Sequence, residues 1–288
     1  MRGFFKIFFA SLLSLIVFTL LCVFLAVAVV ATLASREGPE VYKHSVLVID
    51  LGHQYHERLR ENPFAVLNGE GNVPGLYDVV RLIEKAKTDN DIDGIYIKAD
   101  NNANGFASSN ELRQAILAFR QSKKFVIAHG DVMSQGAYFV ASAASKIYVN
   151  PAGNFDWRGY SVSFVFIKEM LDRLAIEPQI FYAGKFKSAT EMFRTSQMTP
   201  ENKLQTTVWL NALYDYFLEQ TSASRNIDTA TLHRLANEGT VQTPEDALQH
   251  KLIDGLKYDD GVRTDVIQAQ PVKHGAAPAA EFSGANHS

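Results

Sequence analysis

The stretch KFVIAHGDVMSQGAYFVASAASKIYVNP, residues 124–151, decides the fold. Its first part, KFVIAHG, reads as a short apolar strand. A small-residue turn follows, then GAYFVASAAS reads as a helix and KIYVNP as a second strand. A strand, a crossover helix and a second strand make a βαβ unit, and the two strands of such a unit run parallel. The turn also raises a functional question. Ser134 stands at a strand–turn–helix junction, where several hydrolase folds expose a nucleophile. A serine needs a base to remove its proton before it attacks anything. Yet the G-x-S-x-G elbow is missing, because no glycine lies two residues before Ser134. The other reading of Ser134 is a turn or helix-cap serine.

The alternation continues outward on both sides. SVLVIDL (45–51) and GIYIKAD (94–100) are strand-like. Between them, Leu76, Val79, Val80 and Ile83 form an i, i+3, i+4, i+7 stripe that predicts a helix over 76–89. Leu112, Ala115, Ile116 and Phe119 predict another over 108–122, with Ser108 and Glu111 in capping-box spacing. Downstream, a helix is expected over 163–175 and a strand over 178–184. Strands alternating with helices of this length imply stacked βαβ units in a mostly parallel sheet. Beyond residue 199 the pattern turns to helix alone. Thr199-Pro200 and Thr243-Pro244 each place a cap threonine before a proline at the first helical position. The helix over 201–224 carries aromatics expected to pack on the sheet layer or on a neighbouring subunit. From about residue 265 apolar periodicity is lost, which predicts a disordered tail.

Composition narrows the function classes. The chain has 288 residues and a formal net charge of −3, with no basic stripe, which argues against nucleic acid as a partner. The single cysteine, Cys22, excludes an intrachain disulfide and a cysteine metal site. His44, His53 and His56 cluster only loosely near a strand end and read as surface histidines. Residues 7–35 carry no charge. About 20 apolar residues cross a bilayer, whereas a secretory signal has an apolar core of only about 7–15. An uncleaved anchor is therefore expected, with a cleaved signal of unusual length as the alternative. Arg2 and Lys6 precede the run and place the N-terminus in the cytoplasm, with the body across the membrane.

Two further groups carry potential chemistry. Lys187 lies in FYAGKFKSATEMF. A lysine serves as a general base only when its pKa falls toward 7, which requires burial. Phe181, Tyr182, Phe186 and Phe193 are candidates for an apolar wall, and Lys185 adds a like charge nearby. A solvated surface charge is the plain alternative. The loop ADNNANGFASSNELR (99–113) is a candidate for presenting backbone N–H groups to an oxyanion, although Asn- and Gly-rich turns are mostly turns.

These motifs, in this order, resemble the signal peptide peptidase A (protease IV) family. The likeness covers residues 1–260 through SVLVIDL, DNDIDGIYIKADNNANG, SQGAYFVASAASKIYVNPAGNFDWRGYS, YAGKFKSATEMFRTSQMTPENK and ALQHKLIDGL. The resemblance implies a Clp protease/crotonase-like α/β fold of stacked βαβ units with a C-terminal helical region, preceded by one transmembrane helix. The implied division is an anchor over 1–36, a peptidase-like domain over 37–262 and a tail over 263–288. The family uses a Ser/Lys dyad without metal or cofactor. Lys187-Ser188-Ala189 matches its lysine run. Aligning QGAY with the family's S-G-G-Y turn puts Gln135 at the nucleophile position, with Ser134 one residue early, about 100° away on a helix. The family's oxyanion loop S-P-G-G reads NANG here, which makes Asn104, Gly105 and Gly136 the candidate oxyanion residues.

In the long form of the family, two tandem copies divide the dyad, the first giving the lysine and the second the serine. This chain resembles the first copy, and its body stops where a second would begin. The implied function is degradation of cleaved signal peptides by a membrane-anchored serine protease. Its domain would be periplasmic, on the inner membrane. Its partners would be a serine-bearing domain or further copies of the chain. The alternatives are a non-catalytic scaffold or regulatory partner of a complete peptidase, a self-sufficient Ser134/Lys187 enzyme, and a crotonase-type acyl-CoA enzyme. The last fits poorly with a body outside the cytoplasm.

Overall fold

The computed structural model of the chain describes residues 2–34, 41–58 and 73–269. The first helix, α1 (Arg2–Ala34), carries no charge after Lys6, and its span Gly3–Ala28 has the length and composition to cross a membrane. At 1.5 Å per residue that span measures about 39 Å, more than the roughly 30 Å of a hydrocarbon core. None of that span is buried against the body.

Among the described residues the body is built on five parallel strands: β1 (Ser45–Asp50), β2 (Ile92–Lys98), β3 (Phe125–Met133), β4 (Lys146–Phe155) and the short β5 (Gly255–Leu256). Their spatial order is their order in the chain. Because parallel crossovers are right-handed, a sheet wound steadily in one direction puts its connecting helices on one face. These are α2 (Leu76–Thr88), α3 (Phe106–Arg120) and α4 (Gln135–Ala141). Strand alternation follows from this. Ile95, Ile97, Val126, Ala128, Ile147 and Val149 point into the main core with the helices. Tyr96 and Ile127, on the other face, meet Val262 and Val266 in a second small core.

The helical region consists of α5 (Lys168–Arg173), α6 (Glu191–Arg194), α7 (Pro200–Arg225), α8 (Thr229–Glu238), α9 (Pro244–Gln249) and α10 (Asp259–Ala269). Both predicted Thr-Pro helix openings form. The Thr199 hydroxyl accepts a hydrogen bond from Asn202 N–H, and Thr243 forms a full capping box with Asp246. Apart from Asn202 in its first turn, the buried residues of α7 lie in its second half. Phe217 packs against Trp157, Tyr160 and Phe139, while Leu204, Val208 and Trp209 face solvent. Arg113 of α3, fully buried, donates to the Gln220 side chain and carbonyl and to Ser224 Oγ, which ties α3 to α7.

Four expectations change. Helix α3 starts at Phe106 with Gly105 as its cap, so Ser108 lies inside the helix and caps nothing. The helix expected over 163–175 contracts to Lys168–Arg173, behind the β-branched and aromatic run SFVFI. Residues 178–184 form no strand, because among the described residues no neighbouring strand takes their backbone groups; Phe181 is 91% exposed. The chain expected to be disordered from residue 263 continues helically to Ala269, with Val266 buried. Residues 270–288 of that tail lie outside the described residues, as does the boundary at 36/37.

Candidate active site

The elbow forms where β3 ends. The register of β3 against β4 shifts between Gly130 and Val132, and Ser134 N–H donates to Asp100 O at 2.9 Å. Two glycines permit the close approach of the strands here. A Cβ on Gly130 would lie 2.5 Å from Ala99 O, and one on Gly153 would lie 1.9 Å from Asp131 O.

Ser134 is the N-cap of α4. Its Oγ accepts from Ala137 N–H at 3.2 Å. Gln135 is buried, and its Oε1 accepts from Arg158 N–H at 2.7 Å. Burial pushes the Tyr160 hydroxyl up to about 12, and the Gln135 side chain beside it pulls the other way. The residue at the expected nucleophile position therefore serves as a fold anchor for the segment that leaves β4.

The loop before α3 meets this turn through Asn102, a residue that the sequence reading did not single out. Asn102 Nδ2 donates to Gly136 O at 3.0 Å and to Ser109 Oγ at 2.8 Å. Asn102 Oδ1 accepts from Asn104 N–H at 3.0 Å, which commits one of the expected oxyanion donors to the loop itself. The Asn104 side chain joins the same cluster, its Nδ2 also donating to Asn102 Oδ1 at 3.0 Å. It accepts from Tyr55 N–H at 2.8 Å and donates to His53 O at 3.0 Å. The Gly105 and Gly136 N–H groups make no hydrogen bond to the described residues. A Cβ on Gly105 would meet nothing within 4 Å, and one on Gly136 only Asn102 Cβ at 3.8 Å. The structure thus brings Ser134, Gln135, Gly136, Asn104 and Gly105 to one corner.

Lys187 belongs to a different feature. Residues 156–199 form an arm between β4 and α7, and Lys187 is exposed on it. Its Nζ makes no hydrogen bond or ion pair among the described residues, and no described contact joins it to the elbow. The expected apolar wall does not close, since Phe181, Tyr182, Phe186 and Phe193 are all exposed. Within this chain Lys187 lacks the burial that a general base needs.

The foot of the arm is the opposite. Glu191 is 2% exposed and accepts from Thr199 Oγ1 (2.5 Å), Thr199 N–H (3.3 Å) and Asn202 Nδ2 (2.7 Å). Burial pushes its carboxyl up, but these hydrogen bonds and the Arg194 guanidinium at 3.6 Å outweigh that and hold it below the usual range.

Residues 118–273 match Peptidase family S49. The chain belongs to that family. Protease 4 of Salmonella typhi is 34% identical over 190 residues, covering 63% of this chain and 31% of the relative. Protease 4 of Haemophilus influenzae is 38% identical over 181 residues, covering 59% and 28%. The chain thus spans under a third of the length of these relatives. Among solved structures, the membrane-bound stomatin-specific protease 1510-N aligns at a TM-score of 0.41 with 16% identity, covering 78% of this chain and 85% of that one. The expectation of a signal peptide peptidase A relative on a parallel α/β sheet is met.

Proposed function

We propose that this chain is the lysine-bearing part of a membrane-anchored serine peptidase that degrades cleaved signal peptides. In this reading Lys187 is the general base. The serine comes from a second copy of the fold outside these residues or from a partner chain. The observation that supports it is where the candidate residues stand. Position 135 holds a glutamine built into the fold, Ser134 caps α4, and Lys187 stands on an exposed arm with its Nζ unbonded among the described residues. The apolar side chains on that arm, Val165, Ile176, Phe181 and Phe186 among them, support its completion by a neighbouring copy or domain. Burying them would also desolvate Lys187, the environment a general-base lysine requires. The anchor α1, with Arg2 and Lys6 at its start, supports a cytoplasmic N-terminus and a periplasmic body on the inner membrane.

The test uses the assembly purified through this chain from its own membranes, supplied with apolar signal-like peptides. Hydrolysis should be abolished by Lys187→Ala and untouched by Ser134→Ala. Full activity in Lys187→Ala would overturn the reading. The second reading, a non-catalytic scaffold for a complete peptidase, draws support from the structural use of Gln135. It predicts that Lys187→Ala leaves the partner's activity intact while loss of the chain lowers it.

A further inference from the structure

A general base has to be held to within about 1 Å, since a misplacement of that size costs on the order of 100-fold in rate. The turn carrying Lys187 is almost wholly solvent-exposed, so something outside its own packing must hold it. We propose that Glu191 is the positioning residue for Lys187, a buried carboxylate that pins the lysine-bearing turn to the first turn of α7. The inference rests on Lys187 being the base.

The connection runs through named atoms in both directions. Toward the body, the carboxylate takes hydrogen bonds from Thr199 and Asn202. Thr199 is itself the N-cap of α7, a helix of 26 residues, where the helix dipole favours a negative charge. Toward the lysine, Glu191 N–H donates to Ser188 O at 2.9 Å. Arg194, paired with the carboxylate, sends Nη2 to Lys187 O at 3.5 Å. Its guanidinium also lies 4.0 Å from the centre of the Tyr182 ring, in the stretch before the turn. The buried carboxylate thus anchors α6, and from α6 the Glu191 N–H and the Arg194 guanidinium reach the carbonyls of Ser188 and Lys187. Its charge is kept because four donors face it.

The experiment compares wild type with Glu191→Gln, which keeps the shape and removes the charge, and with Glu191→Asp, which keeps the charge. In the native assembly, Glu191→Gln should lower kcat at least about tenfold with KM unchanged, and Glu191→Asp should recover part of the loss. Amide hydrogen exchange over 182–190 should speed up by about tenfold or more in Glu191→Gln, while β2 and β3 keep their protection. Unchanged exchange over 182–190 overturns the proposal. So does a rise shared equally by the sheet, which would mark general destabilisation. So does faster exchange with kcat intact. If the wild-type assembly cleaves no peptide, the peptidase reading fails by itself, and the exchange over 182–190 still decides whether Glu191 holds the turn.

Discussion

Replacing Tyr138 by phenylalanine removes one oxygen from the centre of the molecule. The Tyr138 hydroxyl donates to Leu252 O at 2.7 Å, and both residues are fully buried. This bond joins α4, the elbow helix, to the loop that leads into β5. Burial pushes the phenol well above its ordinary value, so it is a neutral donor at any pH of interest. In Tyr138→Phe the ring keeps its edge contacts with Phe155 and Trp157, at centroid distances of 5.0 and 5.8 Å. What changes is the Leu252 carbonyl, left buried without a donor at a cost of about 1–3 kcal/mol. Taking about 2 kcal/mol, and about 2–4 °C per kcal/mol for a body of roughly 200 residues, Tm should fall by about 4–8 °C. Thermal unfolding of the full chain in detergent micelles, followed by tryptophan fluorescence, measures it. A fall smaller than about 1 °C would refute the reasoning, because it would mean that the carbonyl finds another donor at no cost.

Other outcomes follow from the same structure. Lys187→Ala should shift Tm by less than about 1 °C, since the side chain is exposed and unbonded, while peptide hydrolysis by the assembly disappears. Ser134→Ala should cost about 0.5–2 kcal/mol through loss of the α4 cap, with hydrolysis retained; an activity loss beyond what the lower stability explains would return Ser134 to candidacy as a nucleophile. Gly153→Ala places a Cβ against Asp131 O and should cost at least about 1–3 kcal/mol in a urea melt. Acid should destabilise the fold through depressed carboxyls. The Lys257 ammonium holds Asp265 low, backbone N–H groups of Gln242 and Thr243 hold Asp246 low, and hydrogen bonds overcome burial at Glu191. A depressed folded-state pKa gives stability that is complete above the unfolded value and lost as pH falls through the folded one. Tm should therefore be level from pH 7 to about 5 and fall below about 4.5; a level Tm down to pH 3 would contradict this.

Elements that depend on their own residues were legible in the sequence. The helix openings at Thr199-Pro200 and Thr243-Pro244 are local hydrogen-bond motifs, and the stripe from Leu76 to Ile83 is local periodicity. Elements that depend on distant neighbours were not. Residues 178–184 have strand composition, but among the described residues no strand edge receives them. Helix α10 straddles the point where periodicity appeared to end, and Val262 and Val266 take their meaning from Tyr96 and Ile127 across the sheet. At the site, Gln135 and Ser134 could be placed by motif, but the carbonyls and amides that occupy them could not. Glu191 offered no signal by itself, because its burial comes from Thr199 and Asn202 on the next helix.

The sequential strand order also bears on how the chain assembles in time. Each of β2, β3 and β4 pairs with the strand made just before it, so the sheet can grow as the polypeptide emerges. The clasps that close the body come from its last third. Arg113 reaches Gln220 across 107 residues, Tyr138 reaches Leu252 across 114, and Tyr96 reaches Asp259 across 163. Until those late segments arrive, a nascent chain holds its sheet with one face uncovered and the buried guanidinium of Arg113 unmatched. The interval between synthesis of β4 and synthesis of α10 is therefore when this protein is most exposed to proteolysis and wrong association, with its N-terminal helix already made.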